Sequence, residues 1–300
     1  MPLTFLCSYQ PPYDWESFLK FLILHLTKGV EAIHENCYVR TVHYGHYKGW
    51  LKVKHCPEQQ ALEITLSCDL KVVQKEILQQ INFMFDLDHN PNVTIAFFQN
   101  HKLLSNIIKN YPGLRVPGSF NGFELAMRAI LGQQISVKAA TTLAGRITSA
   151  FGDEIKTPWT GLTHLHPTAG TIAQLSINDL TNLGVIQKRA HCIIRLAQEI
   201  INADLKLKSG ADPETTLKKL MTLPGIGDWT AHYIALRALK WNDAFLKSDL
   251  AIKQILGGIS ASQAEKISQE WRPWRSYATL YLWQNAICTA ADKIASVKIS

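Results

Sequence analysis

Apolar and polar residues alternate with two different periods along the chain, and the change of period divides it into two parts. In the first hundred residues, apolar positions at helical spacing predict helices over Asp14–Lys28 and Val72–Phe85. Between them, three short stretches alternate apolar and polar residues, and turn-forming residues separate them. These stretches are Tyr38–Tyr44, Leu51–Lys54 and Leu62–Leu66. The pattern predicts a small antiparallel sheet accompanied by helices.

After about residue 100 the strand pattern disappears and helical periodicity continues. We expect helices over Phe123–Leu131, Val137–Phe151, Gln187–Asn202, Pro213–Met221, Trp229–Leu239, Asp249–Leu256, Ser262–Trp271 and Trp274–Ala290, with a short one from Ser176 to about Gly184. The expected N-terminal caps are Asp14, Ser136, Ser176, Asp212 and Ser262, the last with Glu265 in the form of a capping box. The predicted fold class is α+β. Residues 1–95 form a small α+β domain and residues 96–300 an all-helical body, with the boundary in Asn90–Gln99.

Composition and cysteine usage exclude several classes of protein. With 300 residues, 47% hydrophobic and 18% charged, the chain is long enough for two packed domains and too apolar to be disordered throughout. It has no apolar run of about 18 residues and no signal-peptide pattern, so we expect neither a membrane nor a secreted protein, but a cytoplasmic one. Six scattered cysteines and eleven scattered histidines lack metal-ligand spacing, so no metal site is expected from side chains. The cysteines are Cys7, Cys37, Cys56, Cys68, Cys192 and Cys288, and we expect them to be reduced.

The charge of the chain permits an anionic partner without requiring one. The formal net charge is +7. Residues 101–150 contain six lysines and arginines but a single acidic residue, Glu124. A basic stripe of this kind is typical of a nucleic-acid footprint and equally of a solvated helical surface, so both interpretations stay open at this point.

A glycine-rich turn between two predicted helices, Leu223–Ala231 (LPGIGDWTA), is the most informative segment. Gly225 and Gly227 flank one aliphatic residue, and we expect both to adopt backbone angles that other residues resist. The turn leaves unpaired N–H groups at the start of the second helix, where these donors and the helix dipole favour phosphate. Thr230 adds a hydroxyl in the first turn. A simple interhelical turn is the alternative.

Several segments together carry a resemblance that extends over almost the whole chain. They are Gln10–Trp15 (QPPYDW), Phe123–Gln133, Leu223–Ala231, Asn242–Leu250 and Trp271–Ala278 (WRPWRSYA). In these segments the chain resembles the alkylation-repair branch of the helix-hairpin-helix DNA glycosylase superfamily. In that superfamily a Gly/Pro-rich loop with an aspartate follows the hairpin. Here Asn242–Leu250 keeps the spacing and the aspartate but contains neither Gly nor Pro.

The resemblance implies both an architecture and a partner. Two helical subdomains should flank a central cleft, with the helix-hairpin-helix at about residues 213–239. The implied partner is double-stranded DNA that contains alkylated bases, bound by a monomer that requires no cofactor. Some hairpins of the family hold a sodium or potassium ion on main-chain carbonyls. Side-chain spacing does not test this ion, so it is left open.

An aspartate that follows the hairpin is the catalytic candidate. Cleavage of a purine N-glycosidic bond builds positive charge on the sugar, which a fixed carboxylate stabilises while it orients or deprotonates water. By its position after the hairpin, Asp249 matches the catalytic aspartate of the family. It also precedes an apolar helix, where an N-cap role is compatible with catalysis. Asp243 is the nearest rival, and we expect Asp228 to face solvent or phosphate.

The residue at position 229 indicates the type of reaction. Relatives that also nick the DNA backbone carry a lysine at this hairpin position, which forms a Schiff base with the sugar. Here the residue is Trp229, which has no amine. The implied enzyme is monofunctional: water is the nucleophile, and the product is an abasic site in an intact strand.

Aromatic side chains are the candidates for the base pocket. The resemblance places Trp229, Tyr233 and Trp283 in that pocket, facing Asp249 across the cleft. Phe21 is a further lining residue or, as the alternative, part of the core. Aromatic faces attract electron-poor purines such as 3-methyladenine and 7-methylguanine by stacking and cation–π interaction. Two other tryptophans of this region, Trp271 and Trp274, are expected in the core instead.

A buried base must leave the duplex before this chemistry, so another group has to fill the gap. The family places a wedge directly after its Leu-Gly-Gln turn, where this chain has Gln134 instead of an apolar residue. An ordinary helix-terminal glutamine is the alternative for Gln134.

Two other functions stay open for the protein as a whole: a glycosylase for mismatched adenine or oxidised guanine, and a non-catalytic DNA-binding protein that uses the same hairpin.

Overall fold

The N-terminal part of the chain is an antiparallel sheet. The structure, a computed structural model, describes the backbone of residues 1–297 and the side chains of residues 1–287. The strands are β1 Leu3–Ser8, β2 Glu31–His34, β3 Cys37–Tyr44, β4 Tyr47–Cys56 and β5 Ala61–Leu66. They are antiparallel in the order β1-β5-β4-β3-β2. The three predicted strands are confirmed within β3, β4 and β5. The edge strands β1 and β2 were not predicted, because three consecutive apolar residues, Phe5 to Cys7, hide the alternation of β1 and because β2 has only four residues.

The described residues form fourteen α-helices, as expected of an α+β fold with a helical body. The first two, α1 Trp15–His25 and α2 Gln74–Phe85, pack on the sheet. The others are α3 Pro91–Phe98, α4 Leu104–Asn110, α5 Gly122–Leu131, α6 Val137–Phe151, α7 Ala169–Ala173, α8 Ile177–Thr181, α9 Gln187–Ile201, α10 Pro213–Thr222, α11 Asp228–Ala238, α12 Leu250–Ile255, α13 Ala261–Ser268 and α14 Arg275–Val297. Short 3₁₀ helices lie at Pro57–Gln59, Cys68–Val73 and Gln269–Trp271. Beyond residue 100, the described backbone forms isolated β-bridges but no strand.

Most of the predicted caps are confirmed. Asp14, Ser136, Ser176 and Asp212 each accept a hydrogen bond from a backbone N–H in the first turn of the following helix. The expected capping box of Ser262 with Glu265 is wrong. The box is formed two residues earlier by Ser260 and Gln263, whose side chains each bond the other's backbone N–H, so α13 begins at Ala261.

Three hydrophobic cores organise the molecule. One lies between the sheet and helices α1 and α2. A second joins α5, α6, α9 and α10, and a third joins α3, α4 and α12 to α14. Helix α11 contributes to both helical cores, with Ala231 and Ile234 in one and Ala235 and Leu236 in the other. The second helix of the hairpin therefore packs into both cores of the helical body.

Buried ion pairs join the sheet domain to the helical body. Arg40 of β3 donates to Glu124 of α5 at 2.8 Å. Burial alone would raise the pKa of Glu124, but the Arg40 guanidinium holds it below its ordinary range. At the end of α2, Asp86 accepts from Tyr277 of α14 and pairs with Lys240. These contacts join β3 to α5, and the end of α2 to α14 and to Lys240, which follows α11.

Other features of the described residues bear on the exclusions made from the sequence. Five cysteines are free thiols, and Cys288 lies outside the described side chains. In the part of the chain that the structure describes, no helix is long and apolar enough to span a bilayer. Within the same residues, no three histidine, cysteine or acidic side chains group in a way that suits a metal ion.

A groove of about 1280 Å³ lies where the three cores meet and is lined by residues that include Arg40, Phe120, Lys206 and Tyr277.

Candidate active site

The predicted hairpin is formed by the turn between α10 and α11. Gly225 has φ +97°, the left-handed region that favours glycine. A Cβ at this position would lie 3.2 Å from Cβ and 3.3 Å from Sγ of Cys192 on α9. The expectation for Gly227 is wrong: its φ is −89°, which any residue adopts. Gly227 is instead the N-cap of α11, and a Cβ there would meet open space.

Asp249 lies at the N-cap of α12, and both of its carboxylate oxygens are hydrogen-bonded. Oδ1 accepts from the backbone N–H of Ile252 at 3.1 Å and from Nε1 of Trp283 at 3.3 Å. Oδ2 accepts from Nε1 of Trp229 at 2.9 Å. An ionised carboxylate offers about four lone-pair positions, and three are used here. The carboxylate is thus fixed in orientation and keeps capacity for one more donor.

Three of the aromatic candidates form one group next to this carboxylate, and two of them contact it. The rings of Trp229 and Tyr233 stack with centroids 5.1 Å apart and planes at 10°. The ring of Trp283 lies 6.3 Å from that of Tyr233, at 50°. The rings were expected to face Asp249 across the cleft. Instead two of them contact it directly: the second residue of α11, Trp229, lies beside the N-cap of α12, and Trp283 reaches the same carboxylate from α14.

Phe21 joins this group through an arginine that the sequence did not indicate. Arg237 donates to the Tyr233 hydroxyl at 2.8 Å, and its guanidinium lies 4.8 Å from the centre of the Phe21 ring. It also donates to the carbonyls of Pro117 and Gly118, so three of its five N–H donors are engaged. Arg237 follows Tyr233 by one helical turn, and that spacing is the only signal by which the sequence points to the pair.

A partly buried histidine lies behind Phe21. The ring of His25 stacks on that of Phe21 with centroids 4.4 Å apart, and its Nδ1 bonds the Phe21 carbonyl at 2.7 Å. Burial, reinforced by the cations of Arg128 and Arg237, lowers the pKa of His25 from 6.5 to about 3. Since the carbonyl only accepts, Nδ1 carries the proton of the neutral ring. The wall behind Phe21 is therefore uncharged at His25 near neutral pH.

The turn that follows α5 meets the hairpin. Gln134 is exposed and has φ +55°, so its side chain projects from a tight turn. Its neighbour Gln133 points to the hairpin, where Nε2 donates to the Gly225 carbonyl at 2.8 Å and to the Thr230 hydroxyl at 3.0 Å. Thr230 is buried, so its hydroxyl bonds this glutamine and does not face solvent. Its expected contact with phosphate stays a prediction.

The remaining acidic candidate after the hairpin is engaged elsewhere. Asp243 accepts from Arg275 at 2.7 Å and 3.0 Å and from Arg272, so its carboxylate serves an ion-pair network. This arrangement favours Asp249 over Asp243.

The two tryptophans that were expected in the core lie there. Trp271 is fully buried, as expected of a core residue. Trp274 is partly buried against the same core.

Asp228 was expected to face solvent or phosphate, and the structure shows it only partly exposed and next to basic side chains. Its Oδ1 lies 3.4 Å from Nζ of Lys247 and 3.5 Å from Nδ1 of His232, and its Oδ2 is buried. The lysine from the loop before Asp249 thus offsets the negative charge at the N-terminus of α11.

Cavity size does not identify this site. The groove of about 1280 Å³ is lined by neither Asp249 nor Trp229, Tyr233 or Trp283. The chemistry points to the hydrogen-bonded aspartate and its aromatic neighbours. Whether the main chain of the hairpin holds a cation stays open. The carbonyls of Leu223 and Gly225 already accept hydrogen bonds, so an ion would rely on their remaining lone pairs or on other carbonyls of the turn.

Two family profiles match the chain in succession. The AlkA N-terminal domain profile matches residues 4–121, and the HhH-GPD superfamily base excision DNA repair protein profile matches residues 127–275. Together they cover the sheet domain and the helical body, with the hairpin and Asp249 inside the second match.

Individual relatives cover the chain almost completely. It is 35% identical to DNA-3-methyladenine glycosylase 2 of Escherichia coli (strain K12), over 92% of this chain and 95% of the relative. It is 28% identical to DNA-3-methyladenine glycosylase of Bacillus subtilis (strain 168), over 91% and 93%. The solved 3-methyladenine DNA-glycosylase from Archaeoglobus fulgidus shares the fold, with a TM-score of 0.81 and 22% identity over 94% of this chain and 98% of that one. The resemblance inferred from the sequence motifs is confirmed, and the chain belongs to the HhH-GPD superfamily of base excision DNA repair proteins, in the branch that carries an AlkA-type N-terminal domain.

Proposed function

We propose that this protein is a monofunctional DNA glycosylase that releases alkylated purines from duplex DNA by hydrolysis of the N-glycosidic bond. The observation that carries the proposal is the single unit formed by Asp249 and the indole N–H groups of Trp229 and Trp283. It places a fixed carboxylate directly at the edge of an aromatic surface, as removal of a stacked, electron-poor base requires. The names of the relatives support 3-methyladenine as one substrate.

The aromatic rings supply affinity for the displaced base. A purine alkylated at a ring nitrogen carries positive charge, and each aromatic face attracts such a ring by about 0.5–2 kcal/mol. Stacking depends little on the pattern of donors and acceptors, so it allows several alkylated bases. Trp229 and Trp283 contribute more than Phe21 in this proposal, because the Arg237 cation already lies on the Phe21 ring.

Asp249 supplies the electrostatic part of the reaction. As the bond between the sugar and the base breaks, the electron pair leaves with the base and positive charge develops at C1′ and the ring oxygen. The carboxylate stabilises this charge, and its remaining lone pair accepts a proton from the water that attacks C1′. The three hydrogen bonds to Asp249 fix the carboxylate before the reaction, so little reorganisation is needed.

The nucleophile in this proposal is water. A Schiff base requires an amine at the sugar, and the hairpin position carries Trp229. The ammonium of Lys247, from the loop before Asp249, lies 3.4 Å from Asp228 Oδ1 and is engaged there. The product is then an abasic site in an unbroken strand.

Double-stranded DNA is bound by its phosphates in this proposal. The N-cap of α11 at Gly227 is open to solvent, and the backbone N–H groups behind it suit a phosphate next to the displaced nucleotide. Exposed Gln134 fills the gap left in the duplex. We expect the protein to act as a monomer in the cytoplasm, with no cofactor.

The decisive experiment measures base release from three duplex substrates: randomly methylated DNA, DNA with mismatched adenine and DNA with 8-oxoguanine. The proposal expects free 3-methyladenine from the first and no release from the other two. Release confined to a mismatch or to oxidised guanine would assign another substrate class. Duplex binding without release of any base would make the protein a DNA-binding module.

A further inference from the structure

One side chain between the wedge position and the hairpin has no role in the reaction proposed above. Gln133 follows α5 and immediately precedes Gln134. Its amide spans more than ninety residues of sequence to donate both hydrogens to the hairpin, one to the Gly225 carbonyl at 2.8 Å and one to the Thr230 hydroxyl at 3.0 Å. An amide NH₂ has two hydrogens, so its donor capacity is fully used.

The main chain of the same residue is held separately. The guanidinium of Arg189, on α9, donates to the Gln133 carbonyl. Arg189 is itself buried to 9% exposure, so this donor is not a mobile surface group. Gln133 is thereby fixed at two points, by α9 through its backbone and by the hairpin through its side chain.

The atoms that accept from the Gln133 amide belong to rigid parts of the hairpin. Gly225 holds a left-handed φ and packs on Cys192 of α9, and Thr230 is 3% exposed in the first turn of α11. By contrast, Gln134 is exposed and adopts φ +55°, an uncommon angle for a residue with a side chain. A rigid anchor therefore stands directly beside an exposed residue whose direction depends on a tight turn.

We infer that Gln133 is a positioning residue that fixes the direction of Gln134 relative to the phosphate-binding hairpin. The side chain that fills the gap in the duplex and the hairpin that binds the DNA backbone then keep the same relative position. This inference rests on the proposed function. Its physical basis is that misplacement by about 1 Å of a group outside the chemistry lowers a rate by up to about 10²-fold. Gln133 itself touches neither the base nor the sugar in this proposal.

The test is a double-mutant cycle between Gln133→Met and Gln134→Ala, measured as single-turnover release of 3-methyladenine from duplex DNA. Methionine keeps the length of the side chain and removes both donors. We expect Gln133→Met to lower the rate on the order of tenfold, which is the effect of one or two lost hydrogen bonds. Because Gln133 acts through its neighbour, the double variant should be about as slow as Gln134→Ala alone.

Two further readouts separate positioning from a structural role. A 2-aminopurine placed beside the lesion should report less base displacement in Gln133→Met, while binding to undamaged duplex stays within about twofold of wild type. A substrate with an abasic site opposite the lesion needs no wedge, and there the defect should largely disappear. Gln99→Met, a change at an exposed glutamine outside the site, is the control and should match wild type.

Other outcomes overturn the inference. Losses that multiply in the double variant, a wild-type rate for Gln133→Met, or a defect that persists opposite an abasic site each exclude action through Gln134. If Gln133→Met does not fold, Gln133→Glu replaces it, since glutamate keeps the shape but lacks the NH₂ donors. Failure of the proposed function is distinguishable, because the wild-type protein would then release no 3-methyladenine at all.

Discussion

The indole N–H of Trp229 donates a 2.9 Å hydrogen bond to Oδ2 of Asp249, so the candidate wall of the base pocket and the catalytic candidate form one unit. The bond crosses from the first turn of α11 to the N-cap of α12. In the proposed mechanism, the ring that stacks on the base therefore also orients the carboxylate that acts on the sugar.

Asp249→Asn should fold normally and lose activity. Asparagine is as good an N-cap as aspartate, and its side-chain oxygen is able to keep the bond from the Ile252 N–H. The charge that stabilises the developing sugar cation is removed, so single-turnover base release should fall by about 10² or more. Thermal unfolding is the accompanying control: the variant should still unfold cooperatively, with a loss of free energy limited to about 1.5–3 kcal/mol, because the amide NH₂ no longer accepts from the Trp229 indole. A variant with nearly wild-type excision would remove Asp249 from the catalytic role.

Trp229→Phe separates the two functions of the tryptophan. Phenylalanine keeps an aromatic face next to Tyr233 but has no N–H for Asp249. Loss of a hydrogen bond to a charged group corresponds to about 1.5–3 kcal/mol, so the rate should fall roughly 10- to 100-fold with little change in substrate binding. Trp283→Phe should have a smaller effect, because its bond to Asp249 is longer, at 3.3 Å. If Trp229→Phe matches wild type while Trp229→Ala is slow, stacking alone accounts for the role of Trp229.

The parts of the site that sequence analysis located are those encoded locally. The spacing of Trp229 and Tyr233 within one helix turn predicts a shared face, and Asp249 precedes an apolar stretch as an N-cap does. The contacts of Gln133 with Gly225 and of Arg237 with Pro117 join segments 92 and 120 residues apart. No local pattern encodes such pairs, since they depend on how the helices pack. For the same reason the direct contact between the tryptophans and Asp249 was not predicted.

The two hairpin glycines show a second limit of the sequence. The motif treats Gly225 and Gly227 alike, yet only Gly225 has a positive φ. A GxG pattern indicates a turn but does not tell which glycine needs its backbone freedom and which provides an open surface. The edge strand β1 was missed on similar grounds, because strand pairing is a tertiary property.

Gly225→Ala and Gly227→Ala should therefore fail in different ways. Alanine at position 225 is strained by its left-handed φ and crowded by Cys192, which should lower the free energy of unfolding by about 1–3 kcal/mol. Alanine at position 227 meets open space, so stability should be unchanged. Its methyl group stands where phosphate would approach α11, so the Kd for duplex DNA should rise several-fold. Equal stabilities of the two variants in chemical denaturation would contradict this assignment, as would unaltered DNA binding by Gly227→Ala.

Borohydride trapping tests the monofunctional mechanism. Reduction captures a Schiff base as a covalent complex of protein and DNA, and the absence of an amine at position 229 predicts that no such complex forms during base release. A lysine-dependent glycosylase–lyase on its own substrate serves as the positive control. If a complex does form, and Lys247→Ala abolishes it, the lysine before Asp249 is the nucleophile and the proposed mechanism is wrong.

His25 should make the folded protein sensitive to acid. Its pKa of about 3 in the folded state lies below the ordinary 6.5, so the folded state binds fewer protons than the unfolded chain. The stability from this group is fully present above pH 6.5 and decreases as the pH falls toward 3. At pH 5 the folded ring is still neutral while the unfolded one is protonated, which corresponds to a loss of about 2 kcal/mol.

The variant His25→Gln tests this prediction. Between pH 7 and pH 5 its Tm should therefore decrease less than that of wild type, by a few degrees. Part of the acid sensitivity should remain, because burial also lowers the pKa of His89, to about 4. His191→Gln, at an exposed histidine on α9, should behave like wild type. An acid-induced change in Tm that is the same for His25→Gln as for wild type would mean that His25 is not held neutral behind Phe21.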